Sequence, residues 1–101
     1  MVKLIWTEIS IADLKEIHDF ISMNSGQYAS ITVNRIYSHA QGIIDNPFIG
    51  RVVPEINEKS IREVISGSYR IIYRITSETQ VDILRVYHSA RLLKWKKTGG
   101  I

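Results

Sequence analysis

Hydrophobic residues recur at two different periods along the chain. Residues 11–44 place apolar side chains three and four positions apart, which is the period of an amphipathic helix. Residues 61–88 instead alternate apolar and polar side chains, which is the period of a half-buried β-strand. The first half of the chain therefore predicts helices, and the second half predicts strands.

The helical part contains two separate patterns. The first follows a predicted N-cap at Ser10 and keeps four residues on one face: Ile11, Leu14, Ile17 and Ile21. The second runs over residues 29–44 and ends before Pro47, because the residue preceding a proline disfavours helical geometry. Asn24-Ser25-Gly26 separates the two patterns, so we expect an α-helical hairpin.

Strand patterns lie on both sides of this hairpin. Val2 to Trp6 predicts an N-terminal strand, and residues 46–60, which hold both prolines, predict an ordered connection. Three strands follow at residues 61–66, 69–75 and 80–88. The predicted fold class is α+β in the order β-α-α-β-β-β, with the helical hairpin against a three-stranded antiparallel meander. We expect one domain over residues 1–101, with a loose tail at 97–101.

The two predicted turns determine which strand residues face each other. A two-residue turn at Gly67-Ser68 pairs Ile65 with Arg70. A four-residue loop at 76–79 pairs Ile75 with Gln80 and Arg70 with Arg85. In this register, one face is predicted to pack under the helices: Val64, Tyr69, Ile71, Tyr73, Ile75, Leu84 and Val86. The other mixes charged and apolar side chains: Ile61, Glu63, Ile65, Arg70, Ile72, Arg74, Val81, Ile83, Arg85 and Tyr87.

The mixed face predicts a binding surface covered by a partner, since it is too apolar for water and too charged for a core. Arg70 opposite Arg85 would repel, and an anionic ligand would relieve that repulsion. The simpler alternative is that Arg70, Arg74 and Arg85 are snorkelling side chains on a solvated face. A bulge in either hairpin would change which residues share this face.

Composition narrows the function classes. The 101 residues are 45% apolar and 23% charged and include no cysteine, which excludes disulfide frameworks, thiolate metal sites and cysteine nucleophiles. No apolar run reaches the length of a membrane span or a signal peptide, so we expect a soluble, cytoplasmic protein without membrane contact. The net charge of +3 arises in residues 51–101, which contain ten Lys and Arg residues but only five Asp and Glu residues. A polyanion or an acidic partner is therefore expected to contact that half.

The chemistry of the usual catalytic motifs is absent. The sequence has no phosphate-binding glycine loop, no HExxH and no Gly-x-Ser-x-Gly, and we predict neither a metal nor a cofactor. Arginines that hold a phosphate, with Tyr87 or His88 to move a proton, would suffice for metal-independent cleavage of RNA. That combination is weakly specific. His18 and His39 are more simply structural histidines.

Several segments in order resemble the RelE/ParE superfamily of type II toxin–antitoxin toxins. They are NPFIGRVVPE at residues 46–55, IREV at 61–64, YRIIYR at 69–74 and VDILRVYHSAR at 81–91. With the helical hairpin, the resemblance covers nearly the whole chain. It implies a toxin of a plasmid stabilisation-like module, held inactive in a hetero-oligomer with a cognate antitoxin.

The resemblance leaves the target open between two branches. The ParE-like branch inhibits DNA gyrase without catalytic side chains, and we favour it on the GRVVPE and VYHSAR segments. The RelE-like branch cleaves messenger RNA on the ribosome; there the candidate catalytic residues are Arg70, Arg85, Tyr87 and His88, of which Arg70 matches that branch by position. Residues expected to contact a partner or target are Ile61, Glu63, Ile65, Ile72, Arg74, Val81, Ile83 and Arg91. A third possibility is a non-toxic binding adaptor.

Overall fold

The computed structural model describes residues 2–89, and its element order is the predicted one with one addition. The elements are β1 (Lys3–Trp6), α1 (Glu8–Ser22), α2 (Gly26–Gly42), β2 (Arg51–Val52), β3 (Ile61–Ser66), β4 (Tyr69–Ser77) and β5 (Gln80–His88). The α+β class, the helical hairpin and the three-stranded meander are confirmed. The additional strand is β2, which lies in the predicted connection 46–60, and the predicted tail at 97–101 lies outside the described residues.

The five strands form one mixed sheet in the order β1-β5-β4-β3-β2. All neighbouring strands are antiparallel except β1, which runs parallel to β5. β1 pairs only with residues Gln80 to Ile83, whereas β5 continues to His88. The second half of β5 therefore has no strand partner on its outer side among residues 2–89.

Local capping explains where the helices begin. Thr7 is the N-cap of α1 and accepts a hydrogen bond from the backbone N–H of Ser10 at 3.2 Å. The prediction that Ser10 is the cap is wrong: its hydroxyl lies inside the helix and donates to the carbonyl of Thr7 at 2.8 Å. Ser25 caps α2 in the same way through Tyr28 N at 3.1 Å. α2 ends at Gly42, before Pro47, as predicted.

The register of the first hairpin is confirmed, and that of the second is wrong. Ile65 lies opposite Arg70 across a two-residue turn in which Gly67 has φ 59°, a conformation that favours glycine. In the second hairpin Ser77 pairs with Gln80, so the loop has two residues instead of four. Arg70 consequently lies opposite Tyr87 and not opposite Arg85.

A β-bulge at Leu84 accounts for the remaining error in the faces. Ile72 pairs with Arg85 but Tyr73 pairs with Ile83, which leaves Leu84 without an opposite residue. The predicted faces are therefore wrong at three positions: Val81 and Ile83 pack under the helices, and Leu84 packs on the other side. The main core between helices and sheet comprises Ile36, Ala40, Ile43, Ile71, Tyr73, Val81, Ile83 and Val86.

The other face of the sheet carries a second, smaller core. It contains Val53, Ile61, Ile72 and Tyr87, with Ile56 and Leu84 packed against it. Val53 and Ile56 belong to the connection between β2 and β3, so the chain itself covers the centre of this face. The open mixed surface predicted there is not present, because the second hairpin's bulge and this connection bury its apolar residues.

Gly50 and Tyr73 hold the connection against the sheet. The Tyr73 hydroxyl donates to the carbonyl of Pro47 at 2.7 Å and accepts from the N–H of Gly50 at 3.0 Å. A Cβ at position 50 would lie 2.5 Å from Tyr73 Oη and 2.6 Å from the carbonyl oxygen of Glu63. Glycine is therefore required for this close approach.

Candidate functional site

The guanidinium of Arg70 is fully engaged by two carboxylates. It donates to both oxygens of Glu55 at 2.8 and 3.0 Å and, through Nε, to Glu63 at 2.7 Å. The Arg70 side chain is 8% exposed and that of Glu63 is fully buried. Hydrogen bonding to Glu55, followed by that to Glu63, raises the pKa of Arg70 further above its usual range. Arg70 is therefore a buried, neutralised cation.

Arg51 completes this cluster from the edge of the sheet. Its Nε donates to the second carboxylate oxygen of Glu63 at 2.5 Å. The Arg51 side chain is itself 66% exposed. Glu63 therefore neutralises two arginines, and the four residues Arg51, Glu55, Glu63 and Arg70 are called the arginine–glutamate cluster below. Buried charges of this kind require satisfied partners, because an unpaired one is strongly destabilising.

Arg85 is paired in a different place, with Asp13 of α1. Its Nε and Nη2 donate to the two carboxylate oxygens of Asp13 at 2.8 and 3.0 Å. Asp13 also accepts the backbone N–H of Val86 at 2.9 Å, on the outer edge of β5. Hydrogen bonding to Asp13 raises the pKa of Arg85 above its usual value. The Arg85 guanidinium also lies 4.6 Å above the centre of the Tyr87 ring.

Three of the four candidate catalytic residues, Arg70, Arg85 and Tyr87, lie on one face of the sheet, and His88 lies on the other. Tyr87 packs in the second core, on the same face as Arg70. His88 lies on the helix side, where its ring contacts Tyr69 edge-on with the centroids 5.5 Å apart. Consecutive strand residues point to opposite faces, so the sheet separates the two proposed proton-transfer groups. Their role in RNA cleavage stays a prediction.

The residues expected to contact a partner fall into three groups. Five are buried in packing or in the ion cluster: Ile61, Glu63, Ile72, Val81 and Ile83. Ile65 is 51% exposed and Arg74 is half-buried, so both reach the surface of the described chain. Arg91 lies outside the described residues. Of this set, Ile65 and Arg74 are available for contact in the conformation described.

A groove of about 310 Å³ runs between α1 and the outer edge of β5. Its apolar lining includes Ile17, Phe20 and Val86, and its acidic lining includes Asp13 and Glu16. Phe20 is 64% exposed and lies in this groove beside Ile17 and Val86, so it adds an aromatic side chain to an apolar surface. The groove therefore joins an exposed aromatic anchor to the part of β5 that lacks a described strand partner.

A second exposed apolar group lies before β2. Phe48 and Ile49 are 63% and 62% exposed, and the Arg62 guanidinium lies 5.0 Å above the Phe48 ring. Arg62 also donates to the carbonyl of Gly50 at 2.9 Å, which holds it in place. We call Phe48, Ile49 and Arg62 the loop patch. It combines two apolar side chains with one ordered cation.

Sequence reasoning missed the residues that neutralise the arginines. Asp13 comes from a helix 72 residues away from Arg85, and Glu55 comes from the connection 15 residues before Arg70. The GRVVPE segment includes Glu55, so the motif drew attention to this residue, but the sequence did not indicate that Arg70 is its partner. Neither pair follows a local spacing rule, because both depend on tertiary packing.

Comparison with known proteins identifies the class. A family model described as "ParE toxin of type II toxin-antitoxin system, parDE" matches residues 4–93. The chain is similar to Toxin RelE2 of Caulobacter vibrioides, with 28% identity over 92 residues that cover 91% of this chain and 100% of that protein. It is also similar to Toxin ParE1 of Mycobacterium tuberculosis, with 42% identity over 43 residues, or 43% of each chain.

Solved structures share the fold. A structure titled "Chromosomal ParDE TA system from P. aeruginosa" matches with a TM-score of 0.74 and 22% identity, covering 87% of this chain and 96% of that one. The toxin–antitoxin complex RelBE2 from Mycobacterium tuberculosis matches with a TM-score of 0.63 and 24% identity, covering 86% and 96%. The fold and the family match define a RelE/ParE superfamily toxin. The chain belongs to the ParE toxin family of type II toxin–antitoxin systems.

Neither α1 nor α2 has the combination of length and apolar character needed to cross a bilayer, and these are the helices of residues 2–89.

Proposed function

We propose that this chain inhibits growth by binding DNA gyrase, without a catalytic step, and that a cognate antitoxin neutralises it. The observation that carries the proposal is the state of Arg70. An arginine that held a phosphate would have to leave both Glu55 and Glu63, and Glu63 would then stay buried with Arg51 as its remaining cation. The cluster thus favours a structural role for Arg70.

The other candidate ribonuclease groups support the same conclusion. Arg85 is held by both oxygens of Asp13, and the sheet separates Tyr87 from His88. Cleavage through the 2′-hydroxyl needs a proton-transfer group and a phosphate-binding cation on the same side of the substrate, and on the face that carries Tyr87 both arginines are already bound to carboxylates. Binding to a protein target has no such requirement.

The alternative, a ribosome-dependent mRNA endonuclease, retains one specific observation. Arg85 lies 4.6 Å above the Tyr87 ring, which brings a cation and a phenol together at one edge of the sheet. A rearrangement that freed Arg85 from Asp13 would expose both groups. The experiments below therefore test RNA cleavage directly.

For the gyrase contact we propose the loop patch. Aromatic and arginine side chains contribute most of the binding energy at protein interfaces, and an ordered side chain loses less entropy on binding. Phe48 and Arg62 are already stacked, and Arg62 is held by Gly50. We therefore expect the patch to bind an apolar surface of the target that also carries an acidic group.

For the antitoxin we propose the groove between α1 and β5. An amphipathic segment could insert apolar side chains beside Phe20 and Ile17. The edge of β5 beyond Ile83 lies next to the same groove, although Asp13 already accepts the N–H of Val86 there. The groove and the loop patch share no residues, so single substitutions can separate the two contacts.

The direct test is a supercoiling assay with purified gyrase and the full chain. We expect the chain to inhibit supercoiling in a concentration-dependent manner, and stoichiometric antitoxin to restore it. Full supercoiling in the presence of excess folded chain would contradict the gyrase proposal. Growth that is unaffected by the folded chain would instead support the adaptor function.

A further inference from the structure

A second groove lies between α2 and the turn that joins β3 to β4, and it shares the lining residues Tyr69 and His88 with the groove beside β5. Its volume is about 250 Å³. The side chains that line it come from the middle of α2, from the turn at Gly67-Ser68 and from the end of β5. The lining residues are Ile21, Tyr28, Thr32, Arg35, Ser66, Gly67, Ser68, Tyr69 and His88.

The lining is made almost entirely of hydrogen-bond donors. Five of its side chains carry a hydroxyl group, two are basic, and none is a carboxylate. Arg35 makes no ion pair with any carboxylate of residues 2–89. Arg62 and Arg74 likewise make no ion pair with a carboxylate of residues 2–89, whereas Arg51, Arg70 and Arg85 are each paired with an acid. The groove therefore holds a cation whose charge is not balanced within the described chain.

One buried group in this groove lacks a partner. Thr32 is only 8% exposed, and its buried hydroxyl makes no hydrogen bond within the described residues. Buried hydroxyls are normally bonded, and one that is not carries a desolvation cost. The Thr32 oxygen has essentially no accessible surface, so a molecule bound in the groove does not contact it in this conformation.

The remaining donors are held in place around this position. The Ser66 hydroxyl is hydrogen-bonded to His39 Nδ1 at 2.5 Å, and His88 contacts the Tyr69 ring. Tyrosine keeps its proton at neutral pH, and burial followed by the neighbouring Tyr28 raises the pKa of Tyr69 further, so its hydroxyl remains a donor. Arg35 Nη1 lies near the turn, 3.9 Å from where a Cβ of Gly67 would be.

We propose that this groove binds a phosphate group, with Arg35 as the cation and the hydroxyls of Tyr28 and Tyr69 as neutral donors. A phosphate offers several acceptor oxygens, which matches a lining with many hydroxyls, whereas a carboxylate offers two. Arginine suits phosphate because its guanidinium donates two parallel hydrogen bonds. The phosphate can be free or part of a nucleotide, and the two sources are separated below.

The test is a titration of the full chain with sodium phosphate at constant ionic strength, followed by the amide resonances of residues 66–69. Arg35→Gln is expected to weaken binding about tenfold, as loss of a charge-assisted hydrogen bond does. Tyr28→Phe, which keeps the ring and removes one hydroxyl, is expected to weaken binding by about threefold. Lys15→Gln removes an equal charge from an exposed position of α1 outside both grooves and should leave the affinity unchanged.

The source of the phosphate is decided by repeating the titration with adenosine monophosphate. Tighter binding than that of inorganic phosphate, with the same dependence on Arg35, would identify a nucleotide site, and equal binding would identify a site for free phosphate. The proposal is overturned if the wild-type resonances do not shift saturably. It is also overturned if Lys15→Gln weakens binding as much as Arg35→Gln, or if acetate binds as tightly as phosphate.

Discussion

Arg70 and Glu63 form a buried ion pair across β3 and β4, in which Arg70 Nε donates to Glu63 at 2.7 Å. Arg51 and Glu55 add one partner to each side of this pair, so both charges are balanced within the chain. The cluster also joins the connection that carries Glu55 to the sheet. Arg70 could therefore bind RNA only by leaving Glu55 and Glu63, which would weaken the contact between the connection and the sheet.

The first prediction concerns the stability of this cluster. Arg70→Ala leaves Glu63 buried with one partner, and we expect it to lower the free energy of unfolding by about 3–5 kcal/mol. Urea denaturation followed by circular dichroism measures the change. Arg74→Ala on the same strand, at a half-buried position, is the control and should cost less than about 1 kcal/mol. Equal effects of the two substitutions would show that the cluster does not stabilise the fold.

The second prediction concerns the close approach at Gly50. A methyl group at this position would overlap Tyr73 Oη and the Glu63 carbonyl, so Gly50→Ala should lower the free energy of unfolding by about 1–3 kcal/mol. Gly42→Ala is the matched control, because no atom outside its chain neighbours and its own helix backbone lies within 4 Å of a Cβ there. At the end of a helix that substitution should be neutral or stabilise by up to about 1 kcal/mol. A neutral Gly50→Ala would contradict the packing described here.

The third prediction concerns alkaline pH. Burial raises the pKa of Tyr73 above its ordinary value of 10.0. The folded chain therefore holds this proton more tightly than the unfolded chain, so the stabilisation is complete below pH 10 and is lost as the pH rises through the folded pKa. The free energy of unfolding should fall more steeply above about pH 10 in the wild type than in Tyr73→Phe, as measured by urea denaturation. Parallel pH profiles would refute the assignment.

The fourth prediction separates the two proposed contacts. Phe20→Ser should weaken antitoxin binding by about tenfold or more and leave gyrase inhibition intact, because it removes the aromatic anchor of the groove beside β5. Phe48→Ser should do the reverse. The two residues are almost equally exposed, at 64% and 63%, so each variant controls for the other's loss of apolar surface. Calorimetry and the supercoiling assay measure the two effects.

If each substitution impaired both activities, the assignment of separate surfaces would fail. If Phe20→Ser left antitoxin binding unchanged, the groove between α1 and β5 would not be the antitoxin site.

The parts of the fold that were predictable from sequence are those that local rules determine. The strands 61–66 and 80–88 were predicted with the observed bounds, because alternation and turn residues mark both ends. The turn at Gly67-Ser68 predicted the observed register, because a two-residue hairpin loop determines which residues of the two strands pair. The second hairpin failed because Ser77 pairs with Gln80 and Leu84 forms a bulge.

The candidate site was less accessible to sequence reasoning. Alternation placed Arg70 on the face away from the helices, as observed, but it indicated neither Glu55 nor Glu63 as its partners. The β-bulge moved Val81 and Ile83 from the expected binding face into the main core. The family resemblance, carried by motifs along the chain, was confirmed because it did not depend on the register.

The measurement that tests the central claim most directly compares the wild-type chain with a Tyr87→Phe, His88→Ala double variant, both induced without antitoxin. Growth is recorded, and the 5′ ends of cellular transcripts are mapped by primer extension. We predict that the wild type arrests growth without new cleavage ends, and that a folded double variant does the same. New ends within translated codons in the wild type, lost together with the growth arrest in the double variant, would contradict the account and identify a ribonuclease.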